Sequence, residues 1–255
     1  MKKKKKSVIA GIAVLAVCAA VAGFWIHHRS QTEKETEDVY QEVREQVVNQ
    51  KETVKEEEHT VAVPIDFHAL KQQNAEAYAW IRIPGTSIDY PVLQSQTDDL
   101  FYLTHNIDRE ASDEGAIFTQ KTYNDTDFED PHTVLYGHNM RSGRMFRDLH
   151  EYADRAFFDA NREIIIYLPG EIRTYRIFAA YLYDDRHLLH SFDFEDRKVY
   201  QEYLNSIFSM RDMNACIDTE MKVTSEDKII TLSTCDGVDQ SSRYLVQAVL
   251  VSIEN

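Results

Sequence analysis

Three residue types that together can carry out acyl transfer stand at the ends of three apolar runs. Cys235 closes the run Lys228–Cys235, and Arg243 opens the run Arg243–Val251. Between them lies Asp236-Gly237-Val238-Asp239-Gln240-Ser241-Ser242, a turn-forming stretch. If the two runs pair as neighbouring strands, thiol and guanidinium share one end of a sheet. A thiol beside a fixed cation is a nucleophile with a ready stabiliser for developing negative charge. The missing base is supplied by Gly137-His138-Asn139, which follows the apolar run Thr133–Tyr136. Taken singly, Cys235 reads as a buried apolar residue, Arg243 as a surface charge and His138 as a structural histidine. Their combination at strand ends points to cysteine acyl-transfer chemistry. A zinc site on His138 and Cys235 would need two further ligands, and no suitably spaced set offers them.

The elements that must position these groups are mostly strands. Tyr78–Ile83 alternates and is followed by the turn Pro84-Gly85-Thr86 and the run Ile88–Leu93. Further strands are expected over Ala116–Thr119, Thr133–Tyr136, Glu163–Leu168 and Thr174–Tyr183, with Pro169-Gly170 as a turn. Asp66 is placed to cap a short helix through Phe67–Leu70. Helical spacing recurs over Met145–Tyr152 and over Arg197–Met210, the latter on an insertion at about 184–222. Many short strands with a few inserted helices predict a mainly β fold, a closed or nearly closed barrel.

Bulk composition sets the partners. The chain has 255 residues, 43% of them hydrophobic, and a formal net charge of -15. That balance excludes nucleic acid, because phosphate binding needs clustered Lys and Arg. Of the three cysteines, Cys18, Cys216 and Cys235, none forms a CxxC pair; a Cys216–Cys235 disulfide would silence the thiol. The other histidines, among them His105, His132, His150, His187 and His190, are read as surface or hydrogen-bonded loop residues. Asp125–Asp130 is acidic enough to suggest calcium, but it lacks the glycine and terminal glutamate of an EF-hand loop and is read as a solvated loop. No metal or other cofactor is expected.

The N-terminus predicts a membrane anchor. Lys2–Lys6 form a basic block, and Ser7–Ile26 carries no charge. At ~1.5 Å per residue that run reaches ~30 Å, the thickness of a hydrocarbon core. The lysines hold residues 1–6 in the cytoplasm and the rest is exported. A cleaved signal peptide has a shorter apolar region, and Leu15-Ala16-Val17-Cys18 is a poor lipoprotein box because Val17 is bulky. Residues 27–60 are dense in Glu, Lys and Gln and read as a charged stalk. Val39, Tyr40, Val43 and Val47 recur at helical spacing within it, so a short helix or coiled coil is an alternative to a solvated spacer. The exported domain then spans 61–255.

At the chemical residues the sequence resembles a known family. Thr231-Leu232-Ser233-Thr234-Cys235 resembles the sortase signature TLxTC, with Arg243 on the following strand, and Tyr136-Gly137-His138-Asn139-Met140 resembles the sortase histidine segment. Ile83–Val92, Gly115–Phe118 and Met145-Phe146 are similar to class B members in particular. The resemblance covers roughly 62–253. It implies an eight-stranded barrel with N-terminal helices and a helix in the long insertion before the cysteine strand. It also implies a single-pass membrane enzyme of a Gram-positive bacterium, with its catalytic domain outside the cell. Such an enzyme cleaves the C-terminal sorting motif of surface proteins after Thr and passes the protein to an amine of peptidoglycan or its lipid-linked precursor. Carried over, Cys235 is the nucleophile, His138 the acid/base and Arg243 the oxyanion or substrate clamp; Ser233, Leu103 and Leu189 border the substrate. A pilin-polymerising sortase using a subunit lysine, a plain cysteine hydrolase and a tethered binding module with an idle site are the alternatives.

Overall fold

The computed structural model describes residues 21, 38–48, 61–237 and 241–255. The chain divides into two compact units, 1–41 and 42–255. The first is described only at Val21 and residues 38–41, so the apolar stretch 7–26 and Cys18 lie, Val21 apart, outside the described residues. Among the described residues no helix is long and apolar enough to cross a membrane.

The second unit is built on one nine-stranded sheet. Its strands are β1 (Ala77–Arg82), β2 (Asp89–Leu93), β3 (Ile117–Phe118), β4 (His132–Tyr136), β5 (Glu163–Leu168), β6 (Glu171–Asp184), β7 (Cys216–Ile217), β8 (Ile229–Cys235) and β9 (Ser242–Glu254). The spatial order is β5-β1-β2-β3-β4-β8-β9-β6-β7, and an additional β5–β6 pairing closes the first eight strands into a barrel. Only β2–β3 and β4–β8 pair in parallel. Closure removes the exposed edges that an open sheet would present. The 14-residue β6 makes it possible, with two register shifts against β9, at Thr174/Tyr175 and Ile177/Ala179. Such bulges bend a strand. One end of β6 pairs with β5, and its middle pairs with the two-residue β7.

Helices cover the barrel where the sequence puts apolar stripes. Residues 38–48 form α1, and in the second unit its Val43 and Val47 are buried at 1% exposure each. The Val47 carbonyl accepts from Asp66 N, and the Arg44 guanidinium lies over the Tyr90 ring. Over 42–48, therefore, the apolar spacing in the charged segment serves packing. Helix α2 (Phe67–Gln73) starts at Asp66, whose carboxylate accepts from Ala69 N. Helix α3 (Arg155–Ala160), capped by Asp154, was not evident in the sequence, and the helical spacing around 145–152 is realised as a 3₁₀ helix over Arg147–Ala153. Within the insertion come α4 (Leu188–Ser191) and α5 (Arg197–Phe208). Tyr200, Tyr203, Leu204 and Ile207 form the i, i+3, i+4, i+7 face of α5. They pack on a cluster that includes Phe178 and Tyr181 of β6 and Leu245 of β9.

The acidic loop before β4 has internal partners. Glu129 pairs with Arg173 and Lys228, and Asp130 accepts from Asn124 Nδ2 and Asp125 N. Arg173 is 4% exposed, so its carboxylate partners, Glu129 and Glu171, offset the cost of burying a cation.

Candidate active site

Strand β8 positions the thiol. It lies between β4 and β9, and every residue from Ile229 to Thr234 is buried; Cys235 alone emerges to solvent. Its register with β9 sets Cys235 directly opposite Arg243. On the other side Tyr136 of β4 pairs with Ser233, and Gly137 N donates to Ser233 O. The chain leaving β4 therefore carries His138 past the same end of the sheet. Cys235 and Cys216 are both free thiols, and no disulfide joins them. Cys216 sits in β7 against Ala180, buried, with its pKa pushed up chiefly by burial.

One cavity of about 310 Å³ is lined by His138, Cys235 and Arg243 together with Ser233 and Leu103. His138 Nε2 lies 2.7 Å from Leu103 O. A carbonyl only accepts, so Nε2 carries the hydrogen of that bond and Nδ1 is left to exchange protons. The Arg243 guanidinium is half-buried and donates through Nη1 to Ser242 O at 3.1 Å.

Leu189 does not line this cavity. It faces a neighbouring cleft with Pro131, His132 and Phe192, while Leu188 takes the place at the cavity wall. Adjacent residues of a helix point about 100° apart, so a one-residue offset in α4 exchanges the two surfaces.

Of the histidines read as surface or hydrogen-bonded loop residues, His187 is such a loop residue, whereas His132 and His150 lie in regular elements. His132 is the first residue of β4 and is 2% exposed, with Nε2 2.6 Å from Thr231 Oγ1. Its burial pushes its pKa down to about 3. His187 lines the cavity and donates through Nε2 to Gln120 Oε1 at 2.6 Å; burial, and then the nearby His190, lower its pKa. His150 lies against the main chain of Cys235, its Nε2 3.0 Å from Cys235 O. Burial is the main cause holding its pKa below the usual histidine value. No local pattern marks these positions, because each contact joins segments far apart in sequence.

Comparison with known proteins agrees with this geometry. The Sortase domain family model matches residues 81–251. The chain belongs to the sortase family of cysteine transpeptidases. Its relatives place it in class B. It is 35% identical over 192 residues to Sortase B of Listeria monocytogenes, covering 73% of this chain and 74% of that protein. Among solved structures it is similar to sortase B from B. anthracis in complex with AAEK1. There the TM-score is 0.71 at 30% identity, covering 87% of this chain and 99% of that one. It is also similar to a Staphylococcus aureus sortase B-substrate complex. There the TM-score is 0.63 at 29% identity, covering 73% and 84%. The fold of this family member is accordingly the closed eight-stranded barrel that the resemblance implied, with β7 as a ninth strand outside it.

Proposed function

We infer that this sortase cleaves a C-terminal sorting motif of surface proteins after Thr and transfers the protein to an amine of peptidoglycan or its precursor. The observation that carries the reading is a single cavity shared by an exposed thiol, an imidazole with Nδ1 available and a guanidinium in register with the thiol. In the proposed reaction the Cys235 proton passes to His138 Nδ1 and the thiolate attacks the threonine carbonyl. A C–S bond forms, and Arg243 holds the resulting oxyanion. Collapse breaks the C–N bond as Nδ1–H protonates the leaving amine. The acceptor amine then attacks the thioester, His138 takes its proton, and the Cys235 thiolate is released. Ser233 and Leu103 border the peptide, with Leu188 in the place assigned to Leu189. Residues 7–26 act as an uncleaved anchor with residues 1–6 in the cytoplasm. Segment 27–60 carries the catalytic domain on the outer face of the membrane.

The test uses the full-length chain in detergent with a fluorogenic sorting peptide, with and without an amine acceptor. The expected result is a thioacyl adduct on Cys235, amide product when the amine is present, and no turnover by Cys235→Ala. An adduct on Cys216, or a product that stays hydrolysed at every amine concentration, would overturn the reading.

A further inference from the structure

The residue after His138 holds the main chain of Cys235. Asn139 Nδ2 donates to Cys235 O at 3.1 Å and lies 3.5 Å from Asp236 O. His150 Nε2 is 3.0 Å from the same Cys235 oxygen. A carbonyl only accepts, so Nε2 carries the hydrogen of that bond, and its 2.9 Å approach to Asn139 Nδ2 is a close contact of two donors sharing one acceptor. The reason for this side-chain grip is topological. Strand β4 ends at Tyr136 opposite Ser233, so the ladder with β8 stops before Cys235. A carbonyl just beyond a ladder still needs a donor. Here Asn139 and His150 take the place of a strand.

Both side chains come from one closed segment. His138 O accepts from Phe146 N at 2.9 Å, Asn139 bridges to Met145, and the chain then enters the 3₁₀ helix that carries His150. The His150 ring packs on Tyr244 of β9, with centroids 4.9 Å apart. On the cysteine side, Gly237 has φ +85°, and a Cβ there would stand 2.6 Å from Asn139 Nδ2. The close approach of Asn139 thus requires glycine at 237.

We propose that Asn139 and His150 are positioning residues that clamp the Cys235 carbonyl and so fix the thiol relative to the His138 imidazole. This rests on Cys235 being the nucleophile. The clamp links the two reacting groups through one hydrogen bond, since the loop that presents His138 also grips Cys235 through its next side chain. Reactions of this kind tolerate little displacement, and a misplacement of about 1 Å can cost on the order of 10²-fold in rate. The bonds made by Asn139 and His150 to Cys235 are to its backbone oxygen, so their effect falls on geometry.

The test compares Asn139→Ala, the isosteric Asn139→Asp, His150→Leu and the donor-retaining His150→Gln, all in the full-length chain. Steady-state kinetics with a fluorogenic sorting peptide are read beside the ¹³C carbonyl shift of selectively labelled Cys235. We expect Asn139→Ala, Asn139→Asp and His150→Leu to lower kcat roughly ten- to a hundredfold with KM little changed, and to move the Cys235 carbonyl resonance upfield. His150→Gln should restore most of kcat. An unmoved carbonyl resonance in the Asn139 variants, or a moved resonance with wild-type kcat, would overturn the clamp. Cys235→Ala run in parallel separates the two readings: turnover surviving in that variant removes Cys235 as nucleophile, whatever the carbonyl resonance reports.

Discussion

Arg243 faces Cys235 across the β8–β9 ladder, and the proposed reaction asks more of its side-chain type than of its charge. A guanidinium presents a planar fork that can hold a developing oxyanion and a carbonyl together, whereas an ammonium is a point charge. One well-placed donor to an oxyanion is worth ~3–4 kcal/mol, or about 10²–10³ in kcat. We therefore expect Arg243→Ala to lose about that factor, and Arg243→Lys to fall closer to Ala than to wild type. If the contact is made in the transition state, kcat and kcat/KM fall together. A rise in KM at constant kcat would instead assign Arg243 to ground-state peptide binding, and near-native kinetics for Arg243→Lys would remove the fork from the mechanism. Cys216 offers a contrast at this scale, since a buried thiol whose pKa is raised is a poor nucleophile.

Among the elements, the loop between the 3₁₀ turn Phe101–Leu103 and β3 decides where the His138 imidazole rests. Ala116 N donates to Tyr102 O, which folds this loop back on the turn that presents Leu103 O. Gly115 permits the fold: its φ is +57°, and a Cβ there would stand 2.5 Å from Tyr102 O and 2.8 Å from Leu103 O. Gly115→Ala must therefore displace the carbonyl that receives His138 Nε2–H. The expected outcome is a loss of kcat with a stability cost of about 1–3 kcal/mol from strain and crowding. Thermal unfolding and peptide kinetics on the same preparation check it; unchanged kcat with reduced stability would confine Gly115 to a folding role. Helix α1 contributes differently. Burying Val43 and Val47 is worth about 1.5–3 kcal/mol each before the cost of ordering the helix. A chain lacking residues 1–60 should melt roughly 5–10 °C below one lacking 1–37, with both retaining peptide cleavage. Equal melting temperatures would show that α1 adds nothing to the barrel.

For the whole molecule, the buried His132 sets an acid limit on stability. It bonds Thr231 Oγ1 across the β4–β8 ladder, and Gln247 Nε2 donates to that same hydroxyl from β9. With its folded pKa depressed to about 3, His132 is neutral in the barrel where an unfolded chain would protonate it. The unfolded state then binds more protons, so stability is fully present above the usual histidine value near 6.5. It is lost as pH falls from there to about 3, at up to ~1.4 kcal/mol per unit. His132→Gln should flatten this part of the stability–pH curve even where it lowers stability at neutral pH. Urea unfolding at several pH values measures the slope, and an identical slope in the variant would assign the acid sensitivity to other groups. The formal charge of -15 gives the molecule an acidic surface, and the buried Arg173 is neutralised locally by Glu129 and Glu171.

What the sequence by itself determined is local. The apolar, β-branched runs of β1, β2, β5 and β6, the Asp66 cap and the apolar face of α5 can be read because strand composition, capping and the 3.6-residue helical repeat are local properties. The alternation expected over Tyr78–Ile83 is not realised, since β1 is buried from Ala77 to Ile81. The runs ending at Cys235 and beginning at Arg243 are of the same kind, since a hairpin places opposite residues by counting from its turn. Other features belong to the tertiary structure alone. The bond from His138 to Leu103 O spans 35 positions, and those from Asn139 and His150 to Cys235 O span 96 and 85. The exchange of Leu189 for Leu188 at the cavity, the burial of His132 and the pairing of the two-residue β7 likewise depend on how loops close over the barrel. No residue pattern encodes such contacts, because a loop has no repeat and its path is decided by the surfaces it packs against and by the strand-end carbonyls left in need of a donor.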